Sequence, residues 1–271
     1  MSQQEQNAYI LGTEAKELHR LGLQHQVWAS EAHNGWRNAG FTAGQTILDL
    51  GCGPGFCTKE LGYVVGPTGK VIGVDKSETF IDFLNTIKQQ HNLPIDARFA
   101  DFNEMKLEDN SLDGVYCRWA MAWIPNVEDV LERVYKALKP GGKVVFHEYY
   151  DWSLLQTSPE YPMLKKCIKQ SLKTFFDSEG TVNIGRFLPK IFSELGMKVI
   201  SQRPMNKLAT PDKLDWQWPR TFFQIYFPKV AEAGYLTDDE VTLALEELEV
   251  LGSNPYATIL TPQMVEVIAE K

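Results

Sequence analysis

Residues 47–55 place an apolar run directly before three glycines at alternate positions, Ile47-Leu48-Asp49-Leu50-Gly51-Cys52-Gly53-Pro54-Gly55. The apolar run predicts a buried strand, and the glycines predict a tight turn that leads into a helix from about Phe56. Glycine lets the backbone approach a ligand closely, and the amino end of a helix offers N–H groups and the positive end of the helix dipole. The pattern therefore predicts a ligand-binding turn at the carboxyl end of the first strand.

From Gln45 onward, short strand-like runs alternate with amphipathic segments of helical length. The predicted strands are Thr46–Leu50, Lys70–Val74, Ile95–Ala100, Leu112–Cys117 and Lys143–Glu148, followed later by Met197–Gln202 and Met264–Glu270. The predicted helices cover 14–35, the segment from Phe56, 77–91, 126–138, 162–176, 186–195 and 237–251. This alternation is typical of an α/β protein with a parallel sheet.

The last two predicted strands are separated by residues 204–262, a segment far too long for a hairpin loop. We interpret it as an inserted helical cap. The predicted organisation is N-terminal lid helices over 1–40, a cofactor-binding core over 41–203, the cap over 204–262 and the last core strand over 263–271. The lid and the cap are expected to lie on the open end of the sheet and to enclose the substrate.

The composition excludes several classes of protein. The 271 residues carry 27 basic and 35 acidic side chains, and the net charge of −8 argues against nucleic acid or an anionic membrane as a partner. No apolar run approaches the length of a membrane-spanning helix, and the first ten residues lack the apolar segment of a secretory signal. The four cysteines form no CxxC pair, which favours a reduced, cytoplasmic protein. The three histidines between residues 19 and 33 do not share one helix face, so no metal site is predicted.

Three acidic side chains lie at the ends of predicted strands. Asp49 is two residues before Gly51, Asp75 ends the second strand, and Asp101 follows the third. A carboxylate in the place of Asp75 can accept hydrogen bonds from both hydroxyls of a ribose, although dinucleotide-binding enzymes use the same device. The glycines are spaced GxGxG, with a proline inside, where the dinucleotide pattern is GxGxxG. Asp101 would in addition accept a hydrogen bond from an adenine amino group.

The motifs DLGCGPG, GVD, AD, LDGVYCRWAMAWIP and LKPGG follow one another in that order. Together they resemble the class I S-adenosylmethionine-dependent methyltransferases, in the small-molecule branch whose core is similar to the ubiquinone and menaquinone methyltransferases. The resemblance covers residues 9–148 well and 186–271 more loosely. It implies a Rossmann-like α/β fold with a seven-stranded sheet in the order 3-2-1-4-5-7-6, helices on both faces and an antiparallel seventh strand. It also implies S-adenosylmethionine as cofactor and S-adenosylhomocysteine as product.

The resemblance assigns cofactor-binding roles to individual positions. Gly51, Cys52 and Gly53 would hold the methionine moiety through their backbone, after Asp49, and Asp75 would bind the ribose beside Lys76. Asp101 and Phe102 would bind the adenine, Arg118 would line the sulfonium side, and Tyr9, Arg20 and Gln24 would close over the cofactor from a lid helix.

Methyl transfer from a sulfonium is an in-line displacement, so orientation and exclusion of water can lower the barrier by about 7–11 kcal/mol. A general base is needed only where the acceptor is protonated. His147 and Glu148, at the end of the fifth strand, are the candidate catalytic residues, with Tyr149 beside them. His147 fits equally well a strand-end histidine with a satisfied hydrogen bond, and a solvated carboxylate is the commoner state of a residue such as Glu148.

Four residues are candidates for substrate binding, namely Trp123, Tyr149, Arg186 and Trp216. Trp123 stands where related enzymes often carry a histidine, and it would offer an aromatic face to the sulfonium. Trp216 would line a pocket, although the aromatic run that it begins favours the core of the cap. Arg186 would hold an acidic group of the substrate or pair with a nearby carboxylate.

We therefore expect an enzyme that transfers a methyl group from S-adenosylmethionine to a small-molecule acceptor. Two alternatives stay open, an NAD(P)-dependent oxidoreductase on a similar sheet and a protein that binds the cofactor without catalysis. The GxGxG spacing counts against the first, and Trp123 in place of a histidine leaves the second open. Quinone-type carbon methylation fits the resemblance, while the sequence names neither the acceptor nor the oligomeric state.

Overall fold

The computed structural model describes residues 15–177 and 180–271. Its α-helices are α1 (Ala15–Ala39), α2 (Phe56–Val65), α3 (Glu78–His91), α4 (Val127–Ala137), α5 (Pro162–Phe176), α6 (Leu188–Glu194), α7 (Gln217–Glu232) and α8 (Asp238–Gly252). Its strands are β1 (Thr46–Leu50), β2 (Lys70–Asp75), β3 (Ile95–Phe99), β4 (Leu112–Arg118), β5 (Leu138–Asp151), β6 (Gln156–Ser158), β7 (Lys198–Met205), β8 (Leu208–Ala209), β9 (Thr258–Leu260) and β10 (Gln263–Glu270). Among the described residues, no helix combines the length and the apolar character that a bilayer span requires.

The predicted helices and strands are present, and β5 is the one that departs most from its predicted bounds. It starts at Leu138 rather than at Lys143. The glycines that end α4 also pair with the last residue of the chain, because Gly141 N–H donates to the Lys271 carbonyl at 2.8 Å and Lys271 N–H donates to the Gly142 carbonyl at 3.0 Å. The turn that stops the helix is therefore also the first part of the strand.

The larger sheet belongs to a unit made of Trp28–Tyr150, Asn183–Met205 and Met264–Lys271. Its seven strands follow the order β3-β2-β1-β4-β5-β10-β7. β1 pairs in parallel with β2 and β4, whereas β10 pairs antiparallel with β7. This confirms the predicted fold class. The numbers differ from the predicted 3-2-1-4-5-7-6 because three short strands of a second sheet are counted between them.

The sheet of this unit is buried on both faces by helices. Leu48 and Leu50 of β1 lie in one apolar cluster with α4 and α6. Ile47, on the opposite face of the same strand, lies in a second cluster with α1, α2 and α3. Parallel strands covered on both faces need nearly continuous apolar sequence, as β1 has. Because β1, β2, β4 and β5 are parallel neighbours, their carboxyl ends meet at one edge of the sheet.

A network of hydrogen bonds around one buried carboxylate ties α1 to this sheet. The carboxylate of Glu266 is fully buried and accepts hydrogen bonds from His147 Nε2 at 3.0 Å and from Arg203 Nε at 3.2 Å. Arg203 also donates to Glu31 of α1 at 2.7 Å. Burial alone would raise the pKa of Glu266, but these hydrogen bonds outweigh burial and lower its pKa. Gly35 leaves room for the network, since a Cβ there would lie 2.7 Å from Glu266 Oε2.

Removal of the central carboxylate tests this network. Glu266→Ala is expected to lower the free energy of unfolding by about 1–3 kcal/mol, because the buried ring of His147 and the half-buried guanidinium of Arg203 lose a partner. Glu270→Ala is the matched control, since Glu270 lies on the same strand with 40% of its side chain exposed and contacts Lys143 at 3.7 Å. The free energy of unfolding lost in Glu270→Ala should stay below about 1 kcal/mol. Urea unfolding followed by circular dichroism measures both, and equal losses would contradict the assignment.

The described residues of the second unit are 15–27, 151–177, 180–182 and 206–263. Helices α5, α7 and α8 pack on one another, and β6, β9 and β8 form an antiparallel sheet in that order. The predicted helix of residues 237–251 is α8, and Thr237 caps it by accepting the N–H of Glu240. Residues 206–262 of the predicted cap lie in this unit, together with residues 151–177 and 180–182, which the sequence assigned to the core.

Aromatic rings form the interior of the second unit. Tyr226 stacks on Phe222 with centroids 5.0 Å apart and on Phe175 with centroids 5.5 Å apart. Trp216 is buried at 3% exposure, and its ring lies next to Gly252, where a Cβ would be 3.4 Å from it. The aromatic run of residues 216–227 thus supplies core to this unit.

Candidate active site

The glycine turn after β1 is tied to the end of β2 by its own N–H groups. Gly51 and Cys52 both donate to the carbonyl of Val74, at 2.9 and 3.0 Å. Gly53 donates to Asp75 Oδ2 at 2.8 Å. The turn therefore has a fixed shape before any ligand binds, and these N–H groups are already used.

The rest of the turn offers no further donor to a ligand. Gly55 N–H donates to the Cys52 carbonyl at 3.0 Å, and Pro54 has no N–H. A site for the pyrophosphate of a dinucleotide needs several unpaired N–H groups at the start of the helix. Across residues 51–55 every N–H group is bonded within the protein, so a ligand that needs N–H donors would find them only in the first turn of α2.

The turn is crowded at one glycine and open at another. A Cβ on Gly51 would lie 2.4 Å from Ala120 Cβ and 3.4 Å from the ring of Phe102. A Cβ on Gly53 would meet no atom within 4 Å. Both glycines have positive φ, 76° and 53°. Gly51 thus allows the turn after β4 to come close, while Gly53 faces open space in which a ligand fits.

Asp75 keeps acceptor capacity for a ribose although it holds the turn. Its Oδ2 accepts the N–H of Gly53 and its Oδ1 accepts the N–H of Ser77 at 2.9 Å. A carboxylate offers about four acceptor positions, and the N–H of Lys76 also acts on this one, so about one or two stay available for the hydroxyls of a ribose. Burial raises the pKa of Asp75, against these hydrogen bonds and the neighbouring charge of Lys76, which is exposed.

The two residues predicted to bind adenine differ in exposure. The Asp101 side chain is exposed, and its Oδ1 accepts the N–H of Asn103 at 2.8 Å. Phe102 is buried at 7% exposure beside Gly51.

Asp49 lies beneath the turn rather than on its surface. It is 3% exposed, and its Oδ2 accepts the hydroxyl of Thr58 at 2.6 Å. Burial raises the pKa of Asp49 to about 6, although Thr58 and the charge of Arg118 oppose this. In this structure Asp49 therefore stabilises the start of α2.

The chain turns sharply after β4, at a residue whose role the sequence did not reveal. Trp119 has φ 56°, a left-handed conformation that is rare for a bulky residue. Its ring stacks on Tyr149 with centroids 6.0 Å apart, meets the edge of Trp28 at 5.7 Å, and lies under the guanidinium of Arg118 at 5.1 Å. Its indole N–H donates to the sulfur of Met264 at 3.2 Å. These contacts from distant parts of the chain stabilise the strained turn.

The two predicted catalytic residues are both buried and point to opposite faces of the sheet. His147 is 1% exposed, with Nε2 on Glu266 and Nδ1 3.4 Å from the hydroxyl of Tyr116. Burial lowers the pKa of His147 despite the bond to Glu266. Glu148 is 0% exposed, and its Oε1 accepts the N–H of Met121 at 2.9 Å. Their predicted roles as bases stay predictions.

The other predicted substrate residues belong to three different elements of the chain. Trp123 is half-buried at the end of a 3-10 helix, Met121–Trp123. Arg186 is exposed; its Nε donates to the Tyr150 carbonyl at 2.5 Å, and its guanidinium lies 5.1 Å above the Tyr150 ring. Trp216 belongs to the interior of the other unit.

The predicted lid residues belong to the other unit as far as they are described. Arg20 forms two hydrogen bonds of 2.7 Å with Glu17, and both residues are 2% exposed. The amide oxygen of Gln24 accepts from Arg20 at 2.8 Å and from Trp218 at 2.9 Å. Tyr9 lies outside the described residues, so its predicted role is not addressed by the structure.

No cluster of three or more histidine, cysteine, aspartate or glutamate side chains suited to a metal ion occurs in residues 15–177 and 180–271.

The carboxyl edge of the sheet carries an open glycine turn, an acid that can hold a ribose and the stacked rings of Trp119 and Tyr149. This combination defines a nucleoside-binding protein of the doubly wound α/β class.

Comparisons with known proteins agree with this class. A family described as a methyltransferase domain matches residues 41–194. A demethylmenaquinone methyltransferase from Oceanobacillus iheyensis is 33% identical over 165 residues, which cover 56% of this chain and 69% of that protein. The sterol 24-C-methyltransferase of Saccharomyces cerevisiae is 26% identical over 237 residues, 80% of this chain and 57% of that protein. The chain thus spans 57–69% of the length of these two relatives.

A solved structure extends the likeness of fold. Geranyl diphosphate C-methyltransferase from Streptomyces coelicolor A3(2), in complex with S-adenosylhomocysteine, aligns with a TM-score of 0.58 at 15% identity. The alignment covers 91% of this chain and 79% of that one.

The chain belongs to the methyltransferase domain family. It is a class I S-adenosylmethionine-dependent methyltransferase of the small-molecule branch, and the oxidoreductase alternative is not favoured.

Substitution of Asp75 tests the ribose site. Asp75→Ala is expected to weaken binding of S-adenosylhomocysteine by about 1.5–3 kcal/mol, the scale of hydrogen bonds to charged groups. Asp75→Asn is the control, because it keeps one acceptor oxygen and should lose less. Isothermal titration calorimetry measures both affinities, and wild-type affinity in Asp75→Ala would rule out the ribose site.

Paired glycine substitutions separate crowding from ligand contact. Alanine at positive φ costs about 1–2 kcal/mol at either position. Gly51→Ala adds an overlap with Ala120, so its total loss of unfolding free energy should exceed that of Gly53→Ala by about 1–3 kcal/mol. Gly53→Ala should instead lose affinity for S-adenosylhomocysteine, because its methyl group enters the open space. Urea unfolding and calorimetry measure the two effects; the reverse pattern would contradict this account.

Proposed function

We propose that this enzyme methylates a carbon atom of an apolar small molecule of the quinone or isoprenoid type. The observation that carries the proposal is the stacked pair of Trp119, after β4, and Tyr149, near the end of β5. Tyr149 is the partly exposed member of the pair, and Trp119, at 9% exposure, lies behind it. Open α/β sheets bind their ligands at this edge, and an aromatic ring suits an apolar acceptor. The names of two relatives, a demethylmenaquinone methyltransferase and a sterol 24-C-methyltransferase, support acceptors of this kind.

We infer that the cofactor lies along the glycine turn. Because the N–H groups of residues 51–53 are bonded within the protein, these residues would contact the methionine moiety through their carbonyl groups. Asp75 would bind the ribose. The remaining cofactor contacts of this unit would come from Lys76, Asp101, Phe102 and Arg118, with Asp49 acting through Thr58.

Bound S-adenosylmethionine supplies an electrophilic methyl group on a sulfonium. In the proposed reaction, the acceptor carbon would take the methyl group as the methyl–sulfur bond breaks, the neutral thioether would be the leaving group, and the methylated carbon would then lose its proton to solvent. His147 and Glu148 are 1% and 0% exposed, which favours supporting roles for them rather than proton transfer with the acceptor. The chain's contribution would then be orientation and exclusion of water, worth about 7–11 kcal/mol in favourable cases. An acceptor that is ionised before transfer, such as a hydroquinone anion, fits this arrangement.

A radiolabel assay tests the proposal. The protein is incubated with S-adenosylmethionine carrying a tritiated methyl group and with a panel of acceptors: a short-chain demethylmenaquinol, a sterol with an unsaturated side chain, sarcosine and phosphoethanolamine. We expect label in the organic extract from the quinol or the sterol. Mass spectrometry should show one added methyl group, and carbon NMR should place it on carbon.

The control is Asp75→Ala, which should lose labelling with every acceptor. Labelling of sarcosine or phosphoethanolamine alone would refute the apolar acceptor while leaving the methyltransferase intact. Binding of S-adenosylhomocysteine with no labelling of any acceptor would favour the non-catalytic alternative.

We further propose that the protein works in the cytoplasm and does not act on nucleic acid. The four cysteines are free and buried, as expected of a reducing compartment. The net charge of −8 supports the exclusion of nucleic acid, because a polyanion is repelled by an acidic protein.

A further inference from the structure

We infer that Glu148 is a positioning residue: its buried carboxyl group holds the turn of residues 119–122 against Gly51 and so sets the shape of the cofactor site. This inference rests on the proposed cofactor position. Glu148 lies near the end of β5 with no exposed surface. Its Oε1 is 2.9 Å from the N–H of Met121, across the gap between β5 and the turn that follows β4.

The carboxyl group acts as a cap for the start of this turn. The N–H of Met121 donates to the carboxyl group, and the neighbouring N–H groups of Ala120 and Ala122 also lower its pKa. The 3-10 helix Met121–Trp123 begins at this point, and Ala120, its N-terminal neighbour, has no side chain that could cap it. Glu148 therefore supplies from another strand the acceptor that the start of a helix normally finds locally.

The turn that Glu148 holds is strained and lies against the glycine turn at Gly51. Trp119, at its first position, has φ 56°. Ala120, at its second position, leaves no room for a side chain on Gly51, since a Cβ there would lie 2.4 Å from Ala120 Cβ. A turn in this conformation persists only where its surroundings hold it. Release of the turn would move Ala120 away from Gly51 and Trp119 away from Tyr149.

The hydrogen bond between Glu148 and the N–H of Met121 does not require a charged carboxylate. Burial raises the pKa of Glu148 to about 8, although the N–H groups of the turn lower it, and burial therefore favours the uncharged acid. Its second oxygen, Oε2, is buried and has no hydrogen-bond partner in the described part of the chain. Glutamine has the same length, keeps a carbonyl oxygen for the Met121 N–H and would place its amide nitrogen where no partner is lost. Leucine has nearly the same volume and no acceptor.

The test compares three variants of the full chain, Glu148→Gln, Glu148→Leu and Glu148→Asp. Calorimetric titration with S-adenosylhomocysteine should give Glu148→Gln an affinity within about threefold of wild type. Glu148→Leu should bind about 5–150-fold more weakly, the usual range of coupling between a binding site and an element that supports it. Glu148→Asp, which draws the acid back by one methylene, should change affinity in the same direction and covers the case in which the leucine variant does not fold.

Val144→Ala is the matched control for general destabilisation. Val144 is fully buried on the same strand and the same face as Glu148. It should lower the melting temperature through its cavity and leave the affinity of the folded protein unchanged. A similar loss of affinity in Val144→Ala at a similar melting temperature would overturn the inference. So would wild-type affinity in folded Glu148→Leu, or a Glu148→Gln variant that behaves like Glu148→Leu.

Amide hydrogen exchange separates this inference from the proposed function. In Glu148→Leu the amides of residues 120–122 should exchange at least about tenfold faster than in wild type, while Glu148→Gln should protect them. This readout needs no cofactor. If the wild-type chain did not bind S-adenosylhomocysteine, the cofactor site would fail but the exchange result would still decide whether Glu148 holds the turn. Unchanged exchange in Glu148→Leu would overturn the inference.

Discussion

The hydrogen bonds between the glycine turn and the end of β2 are the constraint on which the rest of the site depends. They fix the turn through the carbonyl of Val74 and the carboxylate of Asp75, and they use the N–H groups of Gly51, Cys52 and Gly53. These hydrogen bonds also limit which ligand groups the turn can bind. The turn loses the donors that an anion would need, and it keeps carbonyl acceptors and open space at Gly53. A doubly wound sheet with this turn suits a cofactor whose nearest group is cationic or neutral.

The end of β5 shows how adjacent polar residues serve opposite faces of one strand. His147 points toward α1 and is held by Glu266, while Glu148 points toward α4 and holds the turn after β4. Burial shifts the pKa of each toward its neutral form, down for the histidine and up to about 8 for the glutamate. Two buried, uncharged polar groups cost little when hydrogen-bonded, and they fix the geometry of their neighbours.

The sequence predicted those parts of the molecule that depend on local pattern. The glycine turn and the acid after β2 follow from strand periodicity and from motifs a few residues long, and the sheet order follows from the resemblance to the methyltransferase family that these motifs carry. The role of Trp119 depends on contacts with Tyr149 and with Met264, which is 145 residues away in the chain. The partner of His147 is likewise 119 residues away. A motif specifies which residues stand at a strand end, whereas their burial and partners follow from packing between distant segments.

The support of backbone turns by polar side chains affects how the reaction is catalysed. A displacement at a methyl group develops little charge that a nearby acid or base must neutralise, so its rate depends mainly on the alignment of donor and acceptor. Alignment is a property of the backbone, and here the backbone turns on both sides of the site are held by carboxyl groups, the half-buried Asp75 for the glycine turn and the buried Glu148 for the turn after β4. Polar residues at strand ends, which in many enzymes transfer protons, here serve as supports for two turns. The residues that determine the acceptor are then those that these turns carry.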